Sequence, residues 1–209
     1  MTPTLRLHPG LSTSSRLRRL TRTDDVISAA EWAALVGIGI LTAASSTLVD
    51  LHLRVPGHAI LKVVFPIAAG LALVPRRGAG SIIGGSAFVT AVSLRMGGYG
   101  GAGLGFGALT SLTVIGPLLD WMLRHARSSR SLYLGFILAG LAGNLLALFV
   151  RGTLKGLGLE HAGGRPLSVW MSQAVITYTL CGMAAGLLSA LVWFCARPRT
   201  RSNEPDPIA

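Results

Sequence analysis

Hydrophobic residues along this chain fall into six long stretches separated by short polar segments. The stretches cover residues 30–49, 58–74, 78–94, 103–123, 132–150 and 169–196. A helix needs about 17–25 apolar residues to cross a bilayer, so each stretch predicts one transmembrane helix. The second stretch is the weakest candidate, because Lys62 and Pro66 interrupt it. The pattern predicts an all-α integral membrane protein with six transmembrane helices.

The composition agrees with a membrane protein and excludes most soluble classes. Hydrophobic residues make up 51% of the 209 residues and charged residues only 13%, against about 25% charged residues in soluble domains. The net charge is +11 with neutral histidines, but the basic residues lie between apolar stretches. That arrangement is typical of membrane proteins. We therefore expect contact with the lipid bilayer and none with nucleic acid.

The basic residues also predict the orientation. Of the 19 lysines and arginines, 13 lie in the two tails and in the second and fourth connections. Cytoplasmic segments carry such an excess, so both termini are predicted to be cytoplasmic in a bacterial inner membrane. The chain then divides into a basic N-terminal tail (1–27), a transmembrane domain (28–196) and a C-terminal tail (197–209). Glu31 and Asp120, near the cytoplasmic ends of their helices, are expected to meet arginines or lipid headgroups.

Motifs typical of enzymes are missing from the sequence. It contains no Walker motif, no paired carboxylates in the apolar stretches and no serine–histidine arrangement like that of intramembrane proteases. Cys181 and Cys195 do not form a CxxC pair. We predict a protein that is not an enzyme and that holds no cofactor.

The outward connections carry residues suited to binding a metal ion. Asp50, His52 and His58 lie in or beside the first of them, and His161 lies in the last. Carboxylate oxygens and imidazole nitrogens are ligands of divalent metals, so a metal or a metal chelate is one candidate solute. The competing interpretation is that these side chains cap helices and meet water at the membrane surface.

A small anionic or zwitterionic organic molecule is the other candidate solute. The basic residues of the outer half are Arg54, Lys62, Arg95, Arg151, Lys155 and Arg165, and Lys62 falls about one turn inside the second stretch. For the last three, solvation in the connections is the competing interpretation. A charge inside a bilayer costs about 2.5–3.5 kcal/mol unless it snorkels to the surface or lines a cavity. Asn144, inside the fifth stretch, is a candidate for solute binding or for a hydrogen bond between helices. The predicted substrate-binding set on the outer face is Asp50, His52, Arg54, His58, Lys62, Arg95 and Asn144.

Small residues four positions apart recur in the apolar stretches. The pairs are Ala29/Ala33, Ala30/Ala34, Gly80/Gly84, Ala139/Gly143 and Gly182/Gly186. Such faces let helix backbones approach closely in a membrane, so the default expectation is packing within the bundle. The alanine pairs at the start of the first stretch are also a candidate docking surface for a partner subunit.

Two segments resemble parts of a family of membrane importers. Gly97-Gly98 through Ser111 to Val114-Ile115-Gly116-Pro117 is similar to a segment of the cobalt/nickel-type membrane subunits of energy-coupling-factor (ECF) importers. Residues 73–79 resemble the short basic turn between the second and third helices of several S components, the substrate-capture subunits of these importers. The length, the six predicted spans and the cytoplasmic termini are also similar to those of S components.

The resemblance implies an S-component-like bundle that captures a vitamin-like molecule or a divalent metal from the outer face. It also implies a transmembrane coupling subunit and ATPase subunits as partners. The cobalt/nickel subunits begin with a metal-binding Met-His, whereas Thr2 follows Met1 here, so a metal would need the aspartate and histidines of the outward connections. The alternative is a non-transporting scaffold or assembly subunit that binds other membrane proteins through its small-residue faces.

Overall fold

Six helices account for most of the chain that the computed structural model describes, namely residues 27–48, 57–74, 76–99, 105–126, 129–159 and 167–195. They are α1 Ala29–Leu48, α2 Ala59–Leu73, α3 Ala79–Met96, α4 Phe106–His125, α5 Ser129–Gly156 and α6 Leu167–Cys195. These described ranges contain no strand, and each helix coincides with one apolar stretch. The predicted all-α class is therefore confirmed for this part of the chain.

Five of the described helices are long and apolar enough to cross a membrane. The exception is α2, whose 15 residues extend about 22 Å at about 1.5 Å per residue, less than a hydrocarbon core of roughly 30 Å. It is the stretch that Lys62 and Pro66 interrupt. Large apolar side chains such as Leu41 and Phe149 are exposed on the long helices, as expected for surfaces that contact lipid. The structure is that of a multi-pass membrane protein.

The short helix α2 lies at the centre of the bundle. It packs against α1, α3, α4 and α6 and makes a smaller contact with α5. Seven of its 15 residues are buried, including Ile60, Ile67 and Leu71. A helix that is apolar on most of its surface is expected in the interior, because several neighbours must cover it. Helix α2 therefore contacts all five other described helices, and Phe65 and Leu73 stay exposed on its outer side.

Consecutive helices alternate in direction, so the start of α1 and the end of α6 lie at the same end of the bundle. Glu31 at the start of α1 pairs with Arg76, just before α3. Asp120 near the end of α4 contacts the start of α3, and Gly186 in the last part of α6 packs against Phe136 near the start of α5. We call this the Asp120 end. The opposite end, where α4 and α6 begin and α5 finishes, is the Trp170 end.

Glycines form the closest helix crossings. A Cβ on Gly80 of α3 would lie 2.7 Å from the carbonyl oxygen of Gly116 in α4, and one on Gly116 would overlap the backbone of Gly80. Between α5 and α6, a Cβ on Gly182 would lie 2.9 Å from the carbonyl oxygen of Gly140. The expected packing role of the glycine pairs in α3 and α6 is confirmed, because any larger residue would separate these helices.

The alanines of α1 lie on a different surface. Ala29, Ala30, Ala33 and Ala34 are exposed, whereas Ala139 of the later pair is fully buried. The α1 alanines therefore do not pack the described bundle, and their role as a docking surface stays a prediction.

Gly116→Ala should destabilise the bundle, because the added methyl group would overlap the backbone of Gly80. Overpacking of this kind costs about 1–3 kcal/mol. Thermal unfolding in detergent, followed by circular dichroism, measures the effect. Gly85→Ala is the matched control, since a methyl group there meets nothing within 4 Å and should not lower the melting temperature. Equal melting temperatures for the two variants would contradict the crossing described above.

Candidate functional site

Asp120 of α4 is a buried carboxylate that caps the start of α3. It is 3% exposed and accepts hydrogen bonds from the backbone N–H groups of Gly80 at 3.0 Å and Ser81 at 2.8 Å, and from the Ser81 hydroxyl at 2.7 Å. The first N–H groups of a helix lack acceptors within the helix and carry partial positive charge, so a carboxylate is favoured there. The expectation that Asp120 meets an arginine or a headgroup is wrong, because the first turn of α3 supplies its partners instead.

Glu31 caps α1 at the same end. The Ser28 backbone N–H donates to the Glu31 carboxylate at 2.9 Å, and the Glu31 backbone N–H donates to the Ser28 hydroxyl at 3.2 Å, which forms a capping box. Arg76 lies 3.3 Å from the same carboxylate, so the expected arginine partner of Glu31 is confirmed. Glu31 and Asp120 are the only carboxylates among the described residues, and both have partners within the protein.

Asn144 of α5 joins three helices at the level where α2 begins. It is 1% exposed, and its Nδ2 donates to the backbone carbonyl of Tyr178 in α6 at 2.6 Å and to that of Gly57, just before α2, at 3.4 Å. The hydrogen bond between helices that the sequence predicts is present. Gly57 has a φ of +88°, and a Cβ there would lie 2.9 Å from the Tyr178 ring, so this junction requires glycine.

The start of α2 consequently lies deep in the bundle. From Asn144, α5 continues to Gly156, a rise of about 18 Å at about 1.5 Å per residue. Helix α6 begins at Leu167, eleven residues before Tyr178. Among the described residues, no central helix accompanies α4, α5 and α6 beyond the level of Gly57. At the Trp170 end, a second and smaller core packs between α5 and α6 around Ala147, Ala174 and Tyr178.

Two buried polar groups at this level make no hydrogen bond with any described residue. They are the hydroxyl of Tyr178, a residue that is 3% exposed, and the Oδ1 atom of Asn144. Leaving a buried polar group unpaired costs about 1–3 kcal/mol, and the large majority of such groups bond to protein atoms or to ordered water. The hydroxyl and the amide oxygen are therefore available to water or to a bound molecule.

Gly107, in the first turn of α4, leaves a small space in front of the Tyr178 hydroxyl. A Cβ on Gly107 would lie 3.7 Å from that hydroxyl, 3.7 Å from the carbonyl oxygen of Ala147 and 3.9 Å from Cδ of Arg151. These are ordinary van der Waals distances, so a methyl group there would contact its neighbours without displacing them. Polar atoms and the stem of an arginine border it.

Cations lie over aromatic rings at the Trp170 end. Nζ of Lys155 is 4.0 Å and the guanidinium carbon of Arg151 is 6.0 Å from the centroid of the Trp170 ring. The guanidinium carbon of Arg95 is 4.9 Å from the centroid of the Phe106 ring. Such contacts contribute about 0.5–1 kcal/mol at exposed sites. They hold positive charge at the end of the bundle where the described residues include no carboxylate.

Four of the predicted substrate-binding residues lie in the described chain, on segments near the Trp170 end: His58, Lys62, Arg95 and Asn144. The other predicted site residues lie outside the described ranges: Asp50, His52, Arg54 and His161. Within those ranges, no group of three side chains is placed to hold a metal ion. The structure therefore leaves the metal hypothesis as a prediction that depends on the undescribed connections.

Tyr178 and Gly107 are absent from the set predicted from the sequence, where Arg151 appears only among the outward basic residues. Arg151 follows Asn144 by seven residues, which places both on one face of α5, and this spacing is the signal that points to Arg151. Tyr178 and Gly107 come from other helices, and no spacing in the sequence links them to α5.

No family model matches the chain, and no curated protein or solved structure is significantly similar to it. The function must therefore be inferred from the geometry of the molecule itself.

Asp120→Ala should destabilise the protein by about 1–3 kcal/mol, because the first turn of α3 loses a buried acceptor. Asp120→Asn keeps one carbonyl oxygen and should cost less. Unfolding in detergent by heat or denaturant measures both. Glu31→Gln is the control on an exposed cap, where pairs contribute about 0–1 kcal/mol. If Asp120→Ala unfolds at the same midpoint as Glu31→Gln, the buried cap does not stabilise the fold.

Proposed function

We propose that this protein captures a small solute at the Trp170 end and delivers it to separate membrane and ATPase subunits, as an ECF S component does. The observation that supports the proposal is the pair of buried groups without a described partner, the Tyr178 hydroxyl and the Asn144 Oδ1 atom, at the level where the central helix begins. Such groups are satisfied by ordered water or by a bound molecule, and small-molecule sites contain a few placed polar groups of this kind. At the Asp120 end, by contrast, both carboxylates bond within the protein.

In this proposal the Trp170 end faces outward from a bacterial inner membrane. The start of α1 and the end of α6 lie at the Asp120 end, with Arg76 and Arg124. The tails at 1–26 and 196–209 add eight arginines on that side. Segments rich in arginine are retained in the cytoplasm, so both termini are cytoplasmic and the solute arrives from outside.

The described residues favour an organic molecule as the solute in this proposal. The Tyr178 hydroxyl and the Asn144 amide oxygen form hydrogen bonds readily but are poor ligands for soft divalent metals. The sequence contains no ATP-binding motif, so active import requires ATPase subunits and a coupling subunit that binds them.

A scaffold role is the alternative, and the surface of α1 is the observation that favours it. Ala29 and Ala33 are exposed, and a side chain on Gly37, one turn further on, would meet nothing within 4 Å. Three small residues at spacing four make a face on which a helix of another membrane protein can pack closely.

Native mass spectrometry of gently purified protein tests solute capture. The wild type should carry a small organic mass above the 21.8 kDa chain. Asn144→Leu and Tyr178→Phe should each lower its occupancy at least five-fold, because each removes a hydrogen-bonding group, whereas Gly85→Ala should leave it unchanged.

A bound mass that survives in both variants would contradict the site, and a ligand-free wild type would count against capture. Co-purification separates the two candidate functions. An associated ATPase pair supports import, and an unrelated membrane complex associated through α1 supports the scaffold.

A further inference from the structure

We propose that the group recognised at this site is a carboxylate of a small organic anion, bound at the N-terminus of α4 beside Tyr178 and Arg151. This inference rests on the proposed solute-binding function and names the chemical class of the solute. It adds Gly107, Tyr178 and Arg151 to the binding residues.

The start of α4 offers hydrogen-bond donors and partial positive charge. Helix α4 has 20 residues, and its N-cap is Gly105, which has no side chain to cap the helix. The carbonyl oxygen of Gly105 accepts from the N–H groups of Ala108 and Leu109. The N–H groups of Phe106 and Gly107 precede these and have no acceptor within the helix. Together with the helix dipole, they favour an anion at this point.

The Tyr178 hydroxyl is an independent observation at the same point. It is buried, makes no hydrogen bond with a described residue, and lies 3.7 Å from the Cβ position of Gly107. A phenol hydroxyl donates readily to a carboxylate oxygen. The stem of Arg151 borders the same space, with Cδ 3.9 Å from that position, so its positive charge lies nearby. Helix dipole, hydroxyl and guanidinium all favour a negatively charged acceptor.

Asp120 shows how the first N–H groups of a helix obtain an acceptor in this protein. At the Asp120 end, the first turn of α3 receives the carboxylate of Asp120 from a neighbouring helix. At the Trp170 end, the described residues contain no carboxylate that could do the same for α4. A carboxylate brought by the solute would occupy the equivalent position.

The charges also discriminate between classes of solute. Arg151 and Lys155 lie within one turn of each other on α5, and both sit over the ring of Trp170. A carboxylate is attracted to both cations and to the positive end of α4, whereas a neutral solute places no charge there. The geometry therefore favours a carboxylate over a neutral solute.

Titration with acetate tests the inference, with neutral acetamide of the same shape as the control probe. The protein is held in nanodiscs of phosphatidylcholine at constant ionic strength, and tryptophan fluorescence is the readout. Trp170 adjoins the site, whereas Trp121 and Trp193 lie near the Asp120 end. Trp170→Phe identifies the part of the signal that comes from the site.

Acetate should change the wild-type signal in a saturable way, and acetamide should not. Tyr178→Phe and Arg151→Gln should each weaken acetate binding at least five-fold. Gly107→Ala should abolish it, because its methyl group fills the space at ordinary contact distances without forcing the backbone apart. Gly85→Ala should bind as the wild type does, and melting temperatures should confirm that all variants fold.

Three results would overturn the inference. If acetamide titrates as strongly as acetate and Gly107→Ala blocks both, the solute site stands but its preference for an anion is wrong. If neither probe titrates while native mass spectrometry still finds a bound solute, the carboxylate assignment fails and the capture function remains. If discs containing phosphatidylglycerol suppress the acetate signal and the lipid co-purifies with the wild type but not with Gly107→Ala, the anion is a lipid headgroup.

Discussion

The absence of water from the interior of a bilayer is the constraint on which this structure depends, because each buried polar group must find its partner within the protein. Asp120 meets that requirement for the first turn of α3, and it reaches this position only where α3 and α4 approach closely. Gly80 and Gly116 permit that approach, since a Cβ on Gly80 would lie 2.9 Å from the Asp120 carboxylate. The glycine crossing and the carboxylate cap therefore depend on each other.

The short length of helix α2 also determines how the interior of the bundle is filled. An apolar helix of 15 residues cannot fill the whole length of a bundle whose α5 and α6 have 28 and 29 residues. It lies against the Asp120-end portion of its neighbours, and Asn144 bonds to the backbone just before its start. Asn144 thus marks the level at which α2 begins, and beyond it a second, smaller core packs between α5 and α6 around Ala147, Ala174 and Tyr178.

The two ends of the bundle differ in how their polar groups are satisfied, and this difference underlies the proposed function. At the Asp120 end, helix starts are capped by side chains of the protein itself, Glu31 and Asp120. At the Trp170 end, the N-cap of α4 is a glycine, a buried tyrosine hydroxyl has no described partner, and the nearby described charges are positive. The capped Asp120 end suits a structural role, whereas the buried hydroxyl of Tyr178, which has no partner among the described residues, suits binding at the Trp170 end.

The sequence by itself determined the number, order and approximate limits of the helices, because apolar runs of span length have few alternatives in a membrane protein. It also indicated the glycine crossings and the weakness of α2, since spacing four and the interruption at Lys62 and Pro66 are local features. It could not show that Asp120 caps a helix 40 residues away, or that Tyr178 and Gly107 meet beside Arg151. Those contacts join different helices, and only the packing of the helices decides which of their faces come together.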